Sequence, residues 1–135
     1  MLEYYKSMPD YMPVIQLKEL FEEFISNTSS QNYDVEEALE SLLELADRQW
    51  HTYEMLDMNV SNQVETWIIS NCNKDSINNV EFMTLIIGRL GLVKAFEYVK
   101  SLLDEDLISE IRKIIHETVN ELDGHVEDPY FGMKS

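Results

Sequence analysis

Cysteine occurs once in this chain of 135 residues, at Cys72. A single thiol excludes an intramolecular disulfide and a zinc site built on several cysteines. Following Ile68 and Ile69, it reads as a small buried apolar residue. Proline is nearly as sparse, with Pro9 and Pro13 near the start and Pro129 near the end, so positions 14–128 carry none. Only four glycines accompany them. A long middle so poor in turn formers argues against a turn-rich β fold and for helices. Apolar runs are short as well, none reaching the ~18 residues of a membrane span. The start, Met1-Leu2-Glu3-Tyr4-Tyr5-Lys6, lacks the basic residues and apolar stretch of a secretion signal. The expected address is a reducing cytoplasm.

Bases are the last scarcity. Ten Lys and Arg stand against 26 Asp and Glu, a formal net charge of −16. Such a surface repels nucleic acid and anionic membrane, so neither is expected as a partner. It attracts basic proteins and speeds their capture. Charge alone does not mean disorder, because the hydrophobic fraction is 44% and spreads along the whole length. The length suits one domain, 1–135, with an available core.

The apolar residues recur at helical spacing. Residues 1–13, with three tyrosines and two prolines, read as an extended segment packed on the body. Leu17, Leu20, Phe21 and Phe24 form the first stripe, ended by Asn27-Thr28-Ser29-Ser30. Asp34 reads as an N-cap with Glu37 completing a capping box, followed by Val35, Leu39, Leu42, Ala46, Trp50 and Tyr53. After a loop at Asp57-Met58-Asn59, Ser61 reads as the cap of a helix carrying Val64, Trp67, Ile68 and Cys72. Asn73-Lys74-Asp75-Ser76 is a turn before Val80, Met83, Ile86, Ile87 and Leu90, which Gly91 stops. Leu92, Ala95, Phe96, Val99, Leu102 and Leu103 follow, ended by Asp104-Glu105-Asp106. Asp106 is the expected cap of a last helix, Leu107 to Leu122, closed by Gly124. Residues 125–135 form a tail. The expectation is an all-α fold of about six helices, either a compact bundle or a short stack of antiparallel helix pairs. Trp50 and Trp67 fall on apolar stripes and are expected in the core.

Chemistry-bearing motifs are missing. His51, His116 and His125 lie in three separate segments without metal-ligand spacing. Asn120 stands where His116-Glu117 would need the second histidine of a zinc helix motif. Asp104-Glu105-Asp106 lacks the alternation and glycine of an EF-hand. Neither a phosphate-binding glycine loop nor a nucleophile elbow is present. No catalytic residue, metal or cofactor is expected, and the chain is not expected to be an enzyme.

The acids do have a pattern. Glu36, Glu40, Glu44 and Asp47 recur on one side of their helix, away from the Val35/Leu39/Leu42/Ala46 stripe, and no base falls between residues 34 and 47. That side is either a solvated face or a recognition face for a basic surface. In the tail, Asp128 and Tyr130 flank Pro129. Either this segment folds back over a core edge or it offers an anchor to a partner. Glu36, Glu40, Glu44, Asp47, Asp128 and Tyr130 are the candidate partner-binding residues.

Two segments carry a resemblance. Tyr98-Val99-Lys100-Ser101-Leu102-Leu103-Asp104-Glu105-Asp106 followed by Glu110-Ile111-Arg112 resembles the HEAT-like pattern of helical repeats. Ile86-Ile87-Gly88-Arg89-Leu90-Gly91, the Leu102-Leu103-Asp104 helix end and the closing Asp128-Pro129-Tyr130 make residues 35–131 similar to the helical immunity proteins of bacterial polymorphic-toxin and contact-dependent inhibition systems. The resemblance implies binding and neutralisation of a cognate toxin domain, often a basic nuclease, by covering its substrate-binding surface. It carries over no individual residue. The alternatives are a helical-repeat adaptor or assembly subunit, and a regulator that titrates a basic DNA-binding protein.

Overall fold

The computed structural model of the chain describes residues 1–133. Seven α-helices follow one another: α1 Leu2–Lys6, α2 Val14–Ser30, α3 Val35–Trp50, α4 Met58–Ser70, α5 Ile77–Leu90, α6 Val93–Ser101 and α7 Ser109–Leu122. Single 3-10 turns cover Leu102–Asp104 and Phe131–Met133. No strand occurs among the described residues, and the fold is all-α.

The short first helix, α1, corrects the expected extended N-terminal segment. Five residues are too few to hold a helix alone, so α1 owes its form to packing. Tyr5 is buried against Phe24 of α2, with ring centroids 6.1 Å apart. Asn27-Thr28-Ser29-Ser30 ends α2 as expected, forming its last turn. The hydroxyls of Thr28, Ser29 and Ser30 donate to carbonyls one turn back, so these residues satisfy the helix instead of competing with it.

The capping signals are mixed. Asp34 caps α3 by accepting from the Glu37 N–H at 3.3 Å. Glu37 turns its own carboxylate to the chain start, accepting from the Leu2 N–H at 3.3 Å. Asp57, not Ser61, caps α4, accepting from the N–H groups of Asn59 and Val60 at 3.0 and 3.2 Å. The Val60 bond chiefly holds the Asp57 carboxyl below the usual aspartate range. Ser76 caps α5 through the Asn79 N–H. Asp106 caps nothing, because α7 begins after Ile108 without a side-chain cap. At the end of α5, Gly91 takes φ 69°. A Cβ there would lie 3.1 Å from the Val126 carbonyl oxygen and 3.2 Å from that of Glu127. Glycine is required by the left-handed conformation and again by the tail that crosses it.

The helices stack in two layers. One holds α2, α4 and α6, the other α1, α3, α5 and α7, and each helix packs on the next in its own layer. Neighbours within a layer run parallel. Glu36 meets Asn78 at the starts of α3 and α5, and Asp47 meets Arg89 at their ends, both pairs 42 positions apart. In the other layer Lys18 pairs with Asp57 at 3.5 Å, and Phe24 packs edge-on against Trp67 with centroids 5.0 Å apart. The inward stripes meet between the layers as one apolar cluster, with Leu17, Phe21, Leu39, Leu42, Ile68, Ile86, Phe96, Ile111 and Ile115 buried. Each such side chain contributes about 2 kcal/mol of transfer free energy. Trp67 joins this core, whereas Trp50 and Cys72 are only half-buried.

Candidate functional site

The two layers leave α3 flanked by the N-terminal segment on one side and by α5 on the other, and this divides the four acids of its outer face. Glu36 and Asp47 lean toward α5. The Glu36 carboxylate accepts from the Asn78 side-chain amide at 2.8 Å, and Asp47 pairs with Arg89 at 2.8 Å. Glu44 leans the other way and meets the Arg48 guanidinium at 3.4 Å. Glu40 lies between them, half-buried. Three of the four carboxylates are therefore engaged within the chain. The base-free stretch 34–47 is real, but packing brings bases to it from outside. Arg48 stands one residue beyond it, at i+4 from Glu44, and that spacing is readable in the sequence. Arg89 arrives from 42 positions away, and no local pattern announces it.

Arg48 is the one buried base among the described residues, 5% exposed. Its guanidinium donates to the carbonyls of Met8 at 2.8 Å, Pro9 at 2.9 Å and Glu44 at 2.8 Å. One side chain thus clamps the turn after α1 onto α3. Its acidic counterpart is Glu65 on α4, the one buried carboxylate among the described residues. Glu65 accepts from the backbone N–H of Ala95 at 2.9 Å, capping α6, whose own N-cap residue Leu92 offers no side-chain acceptor. Both buried charges are thus used to join segments of the fold.

Of the two possibilities for the tail, the fold-back is the one observed. Val126 is buried, and the Trp50 indole N–H donates to the Pro129 carbonyl at 3.0 Å. The Asp128 carboxylate accepts from the Tyr130 N–H at 3.1 Å, closing a local turn. Tyr130 stacks on Tyr53 with centroids 5.5 Å apart and packs against Trp50 at 5.7 Å, while its hydroxyl faces the carbonyl of Glu54 at 3.4 Å. Burial pushes its phenol above the ordinary range. Arg89 lies over the Trp50 ring, 5.4 Å from its centroid, within reach of a cation–π attraction. Asp128 and Tyr130 stay half-buried at this end of the molecule, about 80 positions from the residues of α3 that the tail covers.

The histidines are dispersed. His51 contacts the Asp47 carbonyl at 2.7 Å, His125 stacks on Phe131 at 3.9 Å, and His116 is exposed on α7. Among the described residues no group of three His, Cys, Asp or Glu could hold a metal ion, and no helix is long and apolar enough to cross a membrane. A cleft of about 430 Å³ lies beside the tail, lined by Trp50, Arg89, Leu122, His125 and Phe131 among others. A groove of similar volume runs between α2 and α4 and has no ionisable side chain on its walls, which include Ile25, Gln63, Thr66 and Trp67.

Tyr53 corrects its expected place on the α3 stripe, since α3 ends at Trp50 and Tyr53 is exposed beyond it. Tyr11, Ile15, Tyr53, Met55 and Met58 are exposed and gather where α2 and α4 begin and α3 ends. The four besides Tyr53 are apolar residues off the core-facing stripes, which is the one signal the sequence holds for them.

No family model, no curated protein and no solved structure matches this chain.

Proposed function

We propose that this chain is a non-catalytic binding protein of the immunity type, which neutralises a basic toxin domain, such as a nuclease, by covering its substrate-binding surface. The observation that carries the reading is the charge balance of the surface. Against 26 acids stand ten bases, and most of those bases are occupied within the chain. Lys18, Arg48, Lys74, Arg89 and Lys100 form ion pairs with Asp57, Glu44, Glu105, Asp47 and Asp123. Arg112 donates to the carbonyls of Leu103 and Glu105. The field that reaches solvent is strongly negative, suited to steering a basic protein into contact and to excluding RNA or DNA from it.

The reading expects a basic toxin domain to be encoded beside this chain, and expression of the chain should protect cells from that domain and leave unrelated toxins active. Absence of protection against that domain would remove the immunity reading. The second reading, an adaptor, would then take its place, supported by the two-layer stack of helix pairs and the broad face such stacks present.

A further inference from the structure

The strongest unexplained feature outside the α3 face is the apolar surface at the loop end of the stack. Tyr11 is 78% exposed, Ile15 73% and Met58 77%, the three highest values among the exposed large apolar residues, with Tyr53 and Met55 beside them at 62% and 50%. Contacts between their neighbours tie together the segments that carry them. The Tyr11 ring meets the His51 ring at 5.7 Å, which joins the start of the chain to the α3–α4 loop. Lys18, one turn after Ile15, pairs with Asp57, the neighbour of Met58, at 3.5 Å. Tyr11 and Glu54 also line one cleft of about 260 Å³. A side chain of this size facing water is common singly. Five gathered at one end of a chain that is otherwise heavily charged are not, and such gatherings mark sites of protein contact.

Tyr53 adds a second, independent observation. It is the only non-glycine residue with positive φ among the described residues, at 60°. The left-handed region costs a residue with a Cβ roughly 1–2 kcal/mol. Here the conformation presents an aromatic ring outward, stacked on Tyr130 from behind.

We infer that this patch is the docking surface for the partner, with Tyr11, Ile15 and Met58 as its apolar anchors. The inference rests on the proposed function, which supplies a basic protein as the partner. The charge around the patch fits the same occupant. Asp10 and Glu54 are exposed beside it, Lys18 is tied to Asp57, and Arg48 is buried under it. An acidic rim around Tyr, Met and Ile is complementary to a surface in which Arg or Lys surrounds apolar side chains. The face of α3 then acts chiefly in steering, and the loop end supplies the persistent contact.

The test uses the full chain, with the toxin domain that the proposed function expects from the neighbouring gene, purified and catalytically inactivated, as the probe. Affinity and the association and dissociation rates are measured by surface plasmon resonance for the unaltered chain, for Ile15→Ser combined with Met58→Ser, and for Glu40→Lys. The double variant should keep the helical circular dichroism of the unaltered chain and lose at least 30-fold in affinity. Glu40→Lys should slow association and change dissociation little. Tyr11→Ser serves as the second variant if the pair perturbs folding, and should lose affinity in the same way. Unchanged affinity in these variants, with firm binding by the unaltered chain, would overturn the docking surface and leave the proposed function standing. No binding by the unaltered chain would overturn both.

Discussion

The indole N–H of Trp50 donates to the carbonyl of Pro129 at 3.0 Å, across 79 positions of sequence. This bond fastens the tail to the end of α3, and Arg89 covers the same indole from α5. Trp50→Phe keeps an aromatic ring but leaves the carbonyl without its donor. The expected cost is about 1 kcal/mol, read as a lower urea midpoint. Limited proteolysis after residue 122 should quicken. An unchanged midpoint and cleavage rate would mean that the tail is held by Val126 and Tyr130 alone.

Arg48 should be the most sensitive single position on the surface of α3. Its guanidinium satisfies carbonyls of Met8, Pro9 and Glu44 from a site 5% exposed. Arg48→Met removes every one of those donors and leaves the Glu44 carboxylate beside an apolar side chain. A loss of about 3 kcal/mol is expected, measured by chemical denaturation. Arg48→Lys should recover only a small part, because an ammonium cannot reproduce the fork.

Alkaline pH should destabilise the fold through Tyr5. Burial holds its phenol well above the ordinary value of 10.0, and the nearby Glu23 carboxylate adds to the shift. A raised folded pKa means that the contribution is complete below pH 10.0 and is lost as pH rises from there through the folded value. Melting temperature should therefore fall above that point. Tyr5→Phe, which gives up the 3.1 Å bond to Glu23, should start lower at neutral pH and fall less steeply in alkali. Parallel curves for the two proteins would assign the alkaline loss to other tyrosines, such as Tyr98 or Tyr130.

Glu40 and Glu44 should part company, although both lie on the outer face of α3. Glu40→Lys is expected to shift stability by no more than about 0.5 kcal/mol and to weaken the salt dependence of association with a basic partner. Glu44→Lys places a second cation beside the buried Arg48 and should lower the melting temperature before any partner is added. Equal stability in the two variants would show that the Arg48–Glu44 pair contributes nothing to the fold.

The sequence by itself determined the helical class, the inward stripes and several helix ends. Those features rest on interactions three and four residues apart and on caps such as Asp34 and Gly91, all contained within a short window. It determined the net charge as well, since that is a sum and needs no coordinates. Tertiary structure decided what a window cannot hold. The five-residue α1 escapes pattern reading because it is too short to persist alone, and it exists because Tyr5 is buried beside Phe24. Asp57 displaced Ser61 as a cap through local bonds, its carboxylate accepting from the N–H groups of Asn59 and Val60, so that correction lay within a short window. Among the candidate residues, which carboxylates meet a base depended on Arg89 arriving from the neighbouring helix. The fold-back of Asp128 and Tyr130 depended on Trp50, the α3–α4 loop and a glycine at position 91. The cluster of Tyr11, Ile15, Tyr53, Met55 and Met58 joins two stretches of chain about 40 positions apart. Apart from Tyr53, which continues the α3 stripe in sequence but lies beyond the helix end, its residues lie off every stripe, and the packing of α2 beside α4 brings the two stretches together.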